Sequence, residues 1–247
     1  ASLRLTALSS IDFGARLEQV RADAPDNPTQ TLPTGETRAV DLHLRDGHSR
    51  VVTAYAAFDR DTRSDPVLPW RGDRLLLFAE AGSEYIGGSY DYLSGLAKYQ
   101  RWWPLHGQSH VLSAHLRGGM VVGDVPQFDR LHVGDINRMV SPRALGLVTS
   151  TTPSLDILNT STDEISYGEI GGLAEMQYSY KLFESSRYVY GGEIFFGVGL
   201  WTLVTTGDLD PRDSPPVDLL LDAGLRLDTE IGIFELSLAN ALGRLPL

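Results

Sequence analysis

The chain contains no cysteine among its 247 residues, which removes disulfide frameworks, thiolate metal sites and cysteine nucleophiles. It also lacks a long apolar run. The longest, residues 194–204, is far short of the roughly 20 residues a membrane-spanning helix needs but fits the roughly 9–11 of a membrane strand. Basic residues are few and scattered, 21 Lys and Arg against 32 Asp and Glu for a formal charge of -11, and this excludes a nucleic-acid partner. The start, Ala1-Ser2-Leu3-Arg4, has no charged region leading into an apolar one, so any secretion signal has been removed or lies outside this sequence. There is no Gly-x-Ser-x-Gly elbow and no phosphate-cradling glycine loop.

The residues that remain as candidates for chemistry lack partners in the sequence. His110 and His115 fall on opposite faces of a strand and cannot share a metal. Asp208, Asp210 and Asp213 crowd one loop without the glycine and bidentate glutamate of a calcium loop. His43 and His115 have no nucleophile pattern around them. The reading is a non-enzymatic protein with no metal and no cofactor.

What the sequence does have is alternation. Segments 2–8, 11–22, 37–45, 49–60, 73–82, 90–103, 107–122, 171–183, 187–204, 217–228 and 231–242 show the two-residue period of half-buried strands, eleven in all. In one, Val217, Leu219, Leu221, Ala223, Leu225 and Leu227 face one way while Asp218, Asp222, Arg226 and Asp228 face the other. In another, Gly172, Ala174, Met176, Tyr178, Tyr180 and Leu182 oppose Glu175, Gln177, Ser179 and Lys181. Tyr188, Tyr190, Ile194, Phe196, Val198 and Leu200 form a third apolar face, behind which Gly197 and Gly199 leave room.

Short turns alternate with longer Pro, Gly, Asp and Ser-rich connections at 24–37, 60–72, 123–168 and 205–216. Nothing resembles an interdomain linker, so the chain reads as one all-β domain over 1–247. A soluble sandwich and a transmembrane antiparallel β-barrel both fit the period. Mid-strand charges on the wet face (Arg16 and Glu18, Asp41 and Arg45, His115 and Arg117, Asp222 and Arg226) favour a barrel with a wet lumen. Tyr99, Trp102, Trp103, Tyr178, Tyr180, Phe183, Tyr188, Tyr190 and Trp201, near segment ends, are expected to form interfacial girdles.

Phe58-Asp59-Arg60-Asp61, followed by Trp70-Arg71-Gly72-Asp73 and a strand, resembles the Tyr-Asp-x-Arg-Asp and Pro-x-Arg-Gly barrel motifs of the BamA/TamA-type outer-membrane assembly factors. Further along, a tyrosine-rich strand, a His-containing strand and a long loop follow in the family's order. They lead to Phe195-Phe196-Gly197-Val198-Gly199-Leu200-Trp201 and Gly224-Leu225-Arg226-Leu227-Asp228-Thr229-Glu230-Ile231-Gly232, the latter similar to Gly-x-Arg-x-x-Thr-Pro-Ile-Gly. The resemblance covers residues 49–242. It places family-motif positions at Asp59, Arg60, Asp61, Arg71, Gly72, Arg138, Met139, Gln177, Gly197, Gly199, Thr229 and Gly232.

What the resemblance implies is a bacterial outer-membrane barrel whose loop 123–168 folds toward the lumen and which inserts, assembles or translocates proteins through a weak seam. Its expected partners are outer-membrane lipid and lipopolysaccharide, client outer-membrane proteins and envelope complex subunits. Family members carry a Val-Arg-Gly-Phe or Tyr loop tip whose Arg pairs with acids on the next two strands. Here Met139 stands at the Arg position, with Arg138 one residue away, Gln177 at the glutamate and Gly197 at the aspartate. With all three changed, the loop is expected to be held by apolar contacts, or by Arg138 or Arg143 with Asp218 or Asp222. The eleven segments also fall short of the family's strand count, and its POTRA repeats are absent from this stretch. The altered lock keeps a passive anchor or scaffold as the alternative, and the charged inner face a diffusion pore. Asp59-Arg60-Asp61 reads more simply as a strand-end charge cluster.

Overall fold

The computed structural model describes residues 1–22, 29–31, 37–39, 45, 47–66, 68–132, 167–184, 188–205 and 217–244. These build one ten-stranded sheet in which every neighbouring pair is antiparallel. In chain order its strands are β1 (Ser2–Thr6), β2 (Ser9–Ala22), β5 (Gly47–Asp61), β6 (Gly72–Gly82), β7 (Tyr92–His106), β8 (His110–Gly123), β11 (Ile170–Glu184), β12 (Val189–Val204), β13 (Asp218–Thr229) and β14 (Gly232–Arg244). Two small two-stranded antiparallel ladders lie outside the sheet: β3 (Thr29–Thr31) with β4 (Thr37–Ala39), and β9 (Leu131–His132) with β10 (Tyr167–Gly168). Strands of 11 to 16 residues, as from β5 to β12 in the sheet, are long enough to cross a bilayer when tilted.

Ten of the eleven alternating segments are strands of this sheet. Segment 37–45 is the exception: residues 37–39 pair in the β3–β4 ladder, and 40–44 lie outside the described residues. The sheet order begins at β1 and ends at β14, with no ladder between them among the described residues.

The two faces have opposite chemistry. Glu175 and Gln177 on β11, Asp222 on β13 and His115 on β8 are nearly inaccessible, while Met176, Phe196 and Leu200 on the opposite face are about half exposed. Leu236 and Leu238 on β14 reach 75% and 77% exposure. Leucine left outward beside buried carboxylates is the inverse of a soluble protein and suits a barrel whose outer surface meets lipid.

The connections sort by end. At one, the sheet is joined by residues 23–46, 83–91, 124–169 and 205–217; at the other, by 7–8, 62–71, 107–109, 185–188 and 230–231. Three of the four long connections expected from sequence share the first end, but 60–72 belongs to the short-turn end. The girdle expectation needs a correction as well. Trp102 and Trp201 share the parity of the inner faces of β7 and β12, so Trp102 lies 5.6 Å from the His115 ring and Trp201 packs with Leu173 and Leu220. Trp103, Tyr178, Tyr180 and Tyr190 do face outward.

Candidate luminal site

The inner face of the last four strands carries a charged network set by register. Glu193 on β12, Arg226 on β13 and Glu235 on β14 are direct cross-strand partners. Arg226 Nη1 donates to Glu193 Oε1 at 2.9 Å, its Nε donates to Glu235 Oε2 at 2.5 Å, and its Nη2 donates to Gln177 Oε1 on β11 at 3.2 Å. The guanidinium also lies 4.0 Å from the centre of the Phe195 ring. One cation thus joins four strands by charge-assisted bonds in a site where its side chain is 13% exposed.

Two carboxylates sit further toward the long-loop end. Glu175 opposes Gly199, and Asp222 opposes Gly197. A Cβ on Gly197 would stand 3.2 Å from Glu175 Oε1 and 3.6 Å from Asp222 Cβ; one on Gly199 would stand 3.3 Å from Glu175 Cβ. The glycines therefore form the floor over which the two acids converge. Glu175 and Asp222 are 3% and 2% exposed, so charge here is held away from bulk water.

The residues following β8 turn back across the inner face. A 3-10 turn, Gln127–Asp129, delivers Asp129 to Arg16 on β2, whose Nη1 and Nη2 donate to its two oxygens at 3.1 and 2.7 Å. Arg16 Nη2 also donates to Glu80 Oε1 at 3.0 Å, and Tyr92 Oη donates to Asp129 Oδ2 at 2.8 Å. Around this node Val51, Tyr90, Tyr92, Val121, Val125 and Leu131 form a buried apolar cluster. The β9–β10 pairing then ties the two flanks of the long loop together, with Arg130 Nη2 3.8 Å from Glu169 Oε1. The expected inward fold thus holds for residues 124–132. Arg138, Met139 and Arg143 lie outside the described residues, as do His43, Asp41, Asp208, Asp210 and Asp213.

At the short-turn end the motif positions explain themselves locally. Arg74 donates to both oxygens of Asp59 at 3.1 and 2.7 Å, Asp61 accepts from Arg63 Nε at 2.9 Å and Nη2 at 2.7 Å, and Arg60 lies 3.8 Å from Asp73. Arg71 stacks on Trp70, 4.4 Å from the ring centre. Gly72 has φ +99°, and a Cβ there would fall 2.3 Å from the Thr62 carbonyl oxygen, so only glycine fits. Thr229 and Gly232 close the β13–β14 turn, where Thr229 Oγ1 donates to the Gly232 carbonyl at 2.6 Å and Gly232 has φ +136°.

Segment 62–71 also enters the barrel mouth. Arg63, Leu68 and Pro69 line a cavity of about 280 Å³ together with Gln100, Trp102, His115, Gln177, Glu193, Arg226 and Glu235. Arg63 lies 5.9 Å from the Trp102 ring centre and donates to the Pro66 carbonyl at 2.9 Å.

The Omp85 superfamily domain matches residues 1–244. The chain belongs to the Omp85 superfamily. It is 34% identical over 146 residues to the outer membrane protein assembly factor BamA of Nitratidesulfovibrio vulgaris strain Hildenborough, a match covering 55% of this chain and 17% of that protein. The solved structure of Haemophilus ducreyi BamA lacking POTRA domains 1-3 superposes with a TM-score of 0.64 at 12% identity, over 99% of this chain and 50% of that one. The chain thus spans a fraction of the length of both Omp85 relatives, and the second likeness speaks for the fold alone.

Gln177, Gly197 and Gly199 lie on the inner face, as their parity predicts, and Glu175 joins them there. Glu175 was visible on the wet parity of its segment. What the sequence lacked was the register that sets it beside Asp222.

Proposed function

We propose that this chain is the barrel of an outer-membrane Omp85 protein that inserts and assembles other proteins at that membrane, without catalysing a chemical step. The observation that carries this is the combination of an Omp85 sheet with an outward apolar face and an inner face that anchors the long loop's first residues through Arg16 and Asp129. Client outer-membrane proteins would be templated by edge pairing, for which β1 and β14 offer the ends of the sheet. Lipid and lipopolysaccharide meet the outer face, and envelope subunits are further partners.

The family's ion-pair lock takes a shifted form in this reading. Gln177 and Gly197 replace its acids, and Glu175 and Asp222, each one inward-facing position or one strand away, supply the carboxylates instead. Arg138 or Arg143 of the long loop is the proposed cation. Joint relocation keeps charge balanced, whereas a single loss strands a buried charge at about 3–5 kcal/mol.

The test is reconstitution of the full-length protein into liposomes with an unfolded barrel client. Faster client folding than in empty liposomes is expected. Client folding no faster than in empty liposomes supports the scaffold reading, which the absence of the usual acids at 177 and 197 favours.

A further inference from the structure

On the outer face, the short-turn end of β7, β8 and β11 differs from the rest of the sheet. Register sets Trp103 beside Leu112 and Leu112 beside Tyr178, while His106 pairs with His110 and His110 with Tyr180. Arg101 lies one row above, opposite Ala114. Toward the other end of the same face the side chains are Leu116 and Met120, and Met176 shares the row of Arg101 and Ala114; all three are about half exposed. The change from aliphatic residues to a band of N–H and O–H donors occurs within one strand.

The donors are arranged and accessible. Arg101 places its guanidinium 5.5 Å from the centre of the Trp103 ring. Stacking uses the flat face of the cation; the Tyr99 side chain takes part of its N–H edge, and the remaining donors of the fork are left for a planar or tetrahedral oxyanion. Tyr178 Oη and His110 Nδ1 share a 2.6 Å hydrogen bond, which takes up one of the two ring nitrogens of His110. The Tyr180 and His106 rings flank His110 at 4.8 and 5.9 Å. Among the described residues the carboxylate in register with this band, Asp73 opposite Arg101, attracts Arg101 across the strands but is itself engaged by Thr62 and lies 3.8 Å from Arg60. The band is therefore rich in donors and poor in acceptors.

We infer that Arg101, Trp103, His106, His110 and Tyr178 form a binding site for the phosphate of an anionic phospholipid, at the headgroup level of the leaflet nearest the short turns. Its acyl chains lie along Leu116, Met120 and Met176. The guanidinium engages phosphate oxygens by paired N–H bonds, the histidine and indole add neutral donors, and the aromatic rings fill the boundary between headgroup and chain. This rests on the reading that the outer face meets lipid, and gives that face a preference for headgroup charge.

Native mass spectrometry of the full chain in detergent, with phosphatidylglycerol and phosphatidylethanolamine of identical acyl chains, tests it. The protein is expected to retain phosphatidylglycerol at least fivefold more strongly. Combined Arg101→Gln and His110→Gln should bring the two lipids to parity, while Arg50→Gln, on β5 at the opposite end of the sheet, should leave the preference intact. Equal retention by the unaltered protein overturns the proposal without need of any variant, as does a preference that survives the double substitution. Heat-modifiable gel migration separates the two failures: its loss in the unaltered protein would remove the membrane-spanning reading itself.

Discussion

Gly72 occupies a conformation that other residues resist, and its neighbour leaves no room for a side chain. Left-handed backbone costs about 1–2 kcal/mol for a residue with a Cβ, and the Thr62 carbonyl at 2.3 Å adds a clash with main chain that cannot swing away. Gly72→Ala is therefore expected to lower stability by about 2 kcal/mol or more, read as a reduced urea midpoint in heat-modifiability assays. Gly197 carries a different constraint. Restoring the family's acid by Gly197→Asp would crowd a third carboxylate against Glu175 and Asp222, and like charges in a buried site repel. The substitution should destabilise the barrel, and adding Glu175→Gln should recover most of the loss. Unchanged stability in the single variant would refute the convergence of these acids. At this scale the sequence was informative about which face a residue takes, since parity alone sets that. It is silent about which residues meet across strands, and so the approach of Glu175 to Asp222 cannot be read from it.

Elements β11 to β14 are joined by one arginine. Arg226→Met leaves Glu193 buried without its cation, at a cost of about 3–5 kcal/mol, whereas Arg226→Met with Glu193→Gln removes that pair, leaves only the more exposed Glu235 without its cation, and should recover a large part of the loss. Denaturation midpoints of the two singles and the double give the coupling directly; additive losses would show that the pair does not act as a unit. The long loop's first residues depend on a different contact. Asp129→Ala removes the two oxygens that Arg16 grips across the interior, while Glu80 keeps the arginine paired. Faster proteolysis after residue 124 is expected, with the ten-stranded sheet intact on a heat-modifiability gel. The strands were legible because their period is two and the apolar face is long. Trp102 and Trp201 depart from the girdle expectation because parity, and not nearness to a segment's end, sets the face a ring takes. The inward course of 62–71 left no trace in composition, since a turn rich in Pro, Ser and Asp looks the same whether it leaves the barrel or enters it.

For the molecule as a whole, both mouths are occupied by its own chain: 62–71 lines the cavity at the short-turn end, and 124–132 crosses the interior near the other. A freely conducting pore is not what this arrangement favours. Planar-bilayer recordings should show small, infrequent openings, rising severalfold when residues 64–70 are replaced by a tight turn; a large steady conductance in the unaltered protein would restore the diffusion-pore alternative. The sheet is also unevenly fastened. The β1–β2 ladder joins only Ser2, Leu3, Arg4 and Thr6, with an irregularity inside it, whereas β2–β5 runs unbroken from Ser9 to Ala22. Under mechanical load applied at Ala1, hydrogen bonds perpendicular to the strands yield a pair at a time, and the ladder with fewest rungs gives way first. Extension curves from single molecules held in a bilayer should then begin with a short, low-force step as β1 peels away, followed by a distinctly higher rupture when β2 leaves β5.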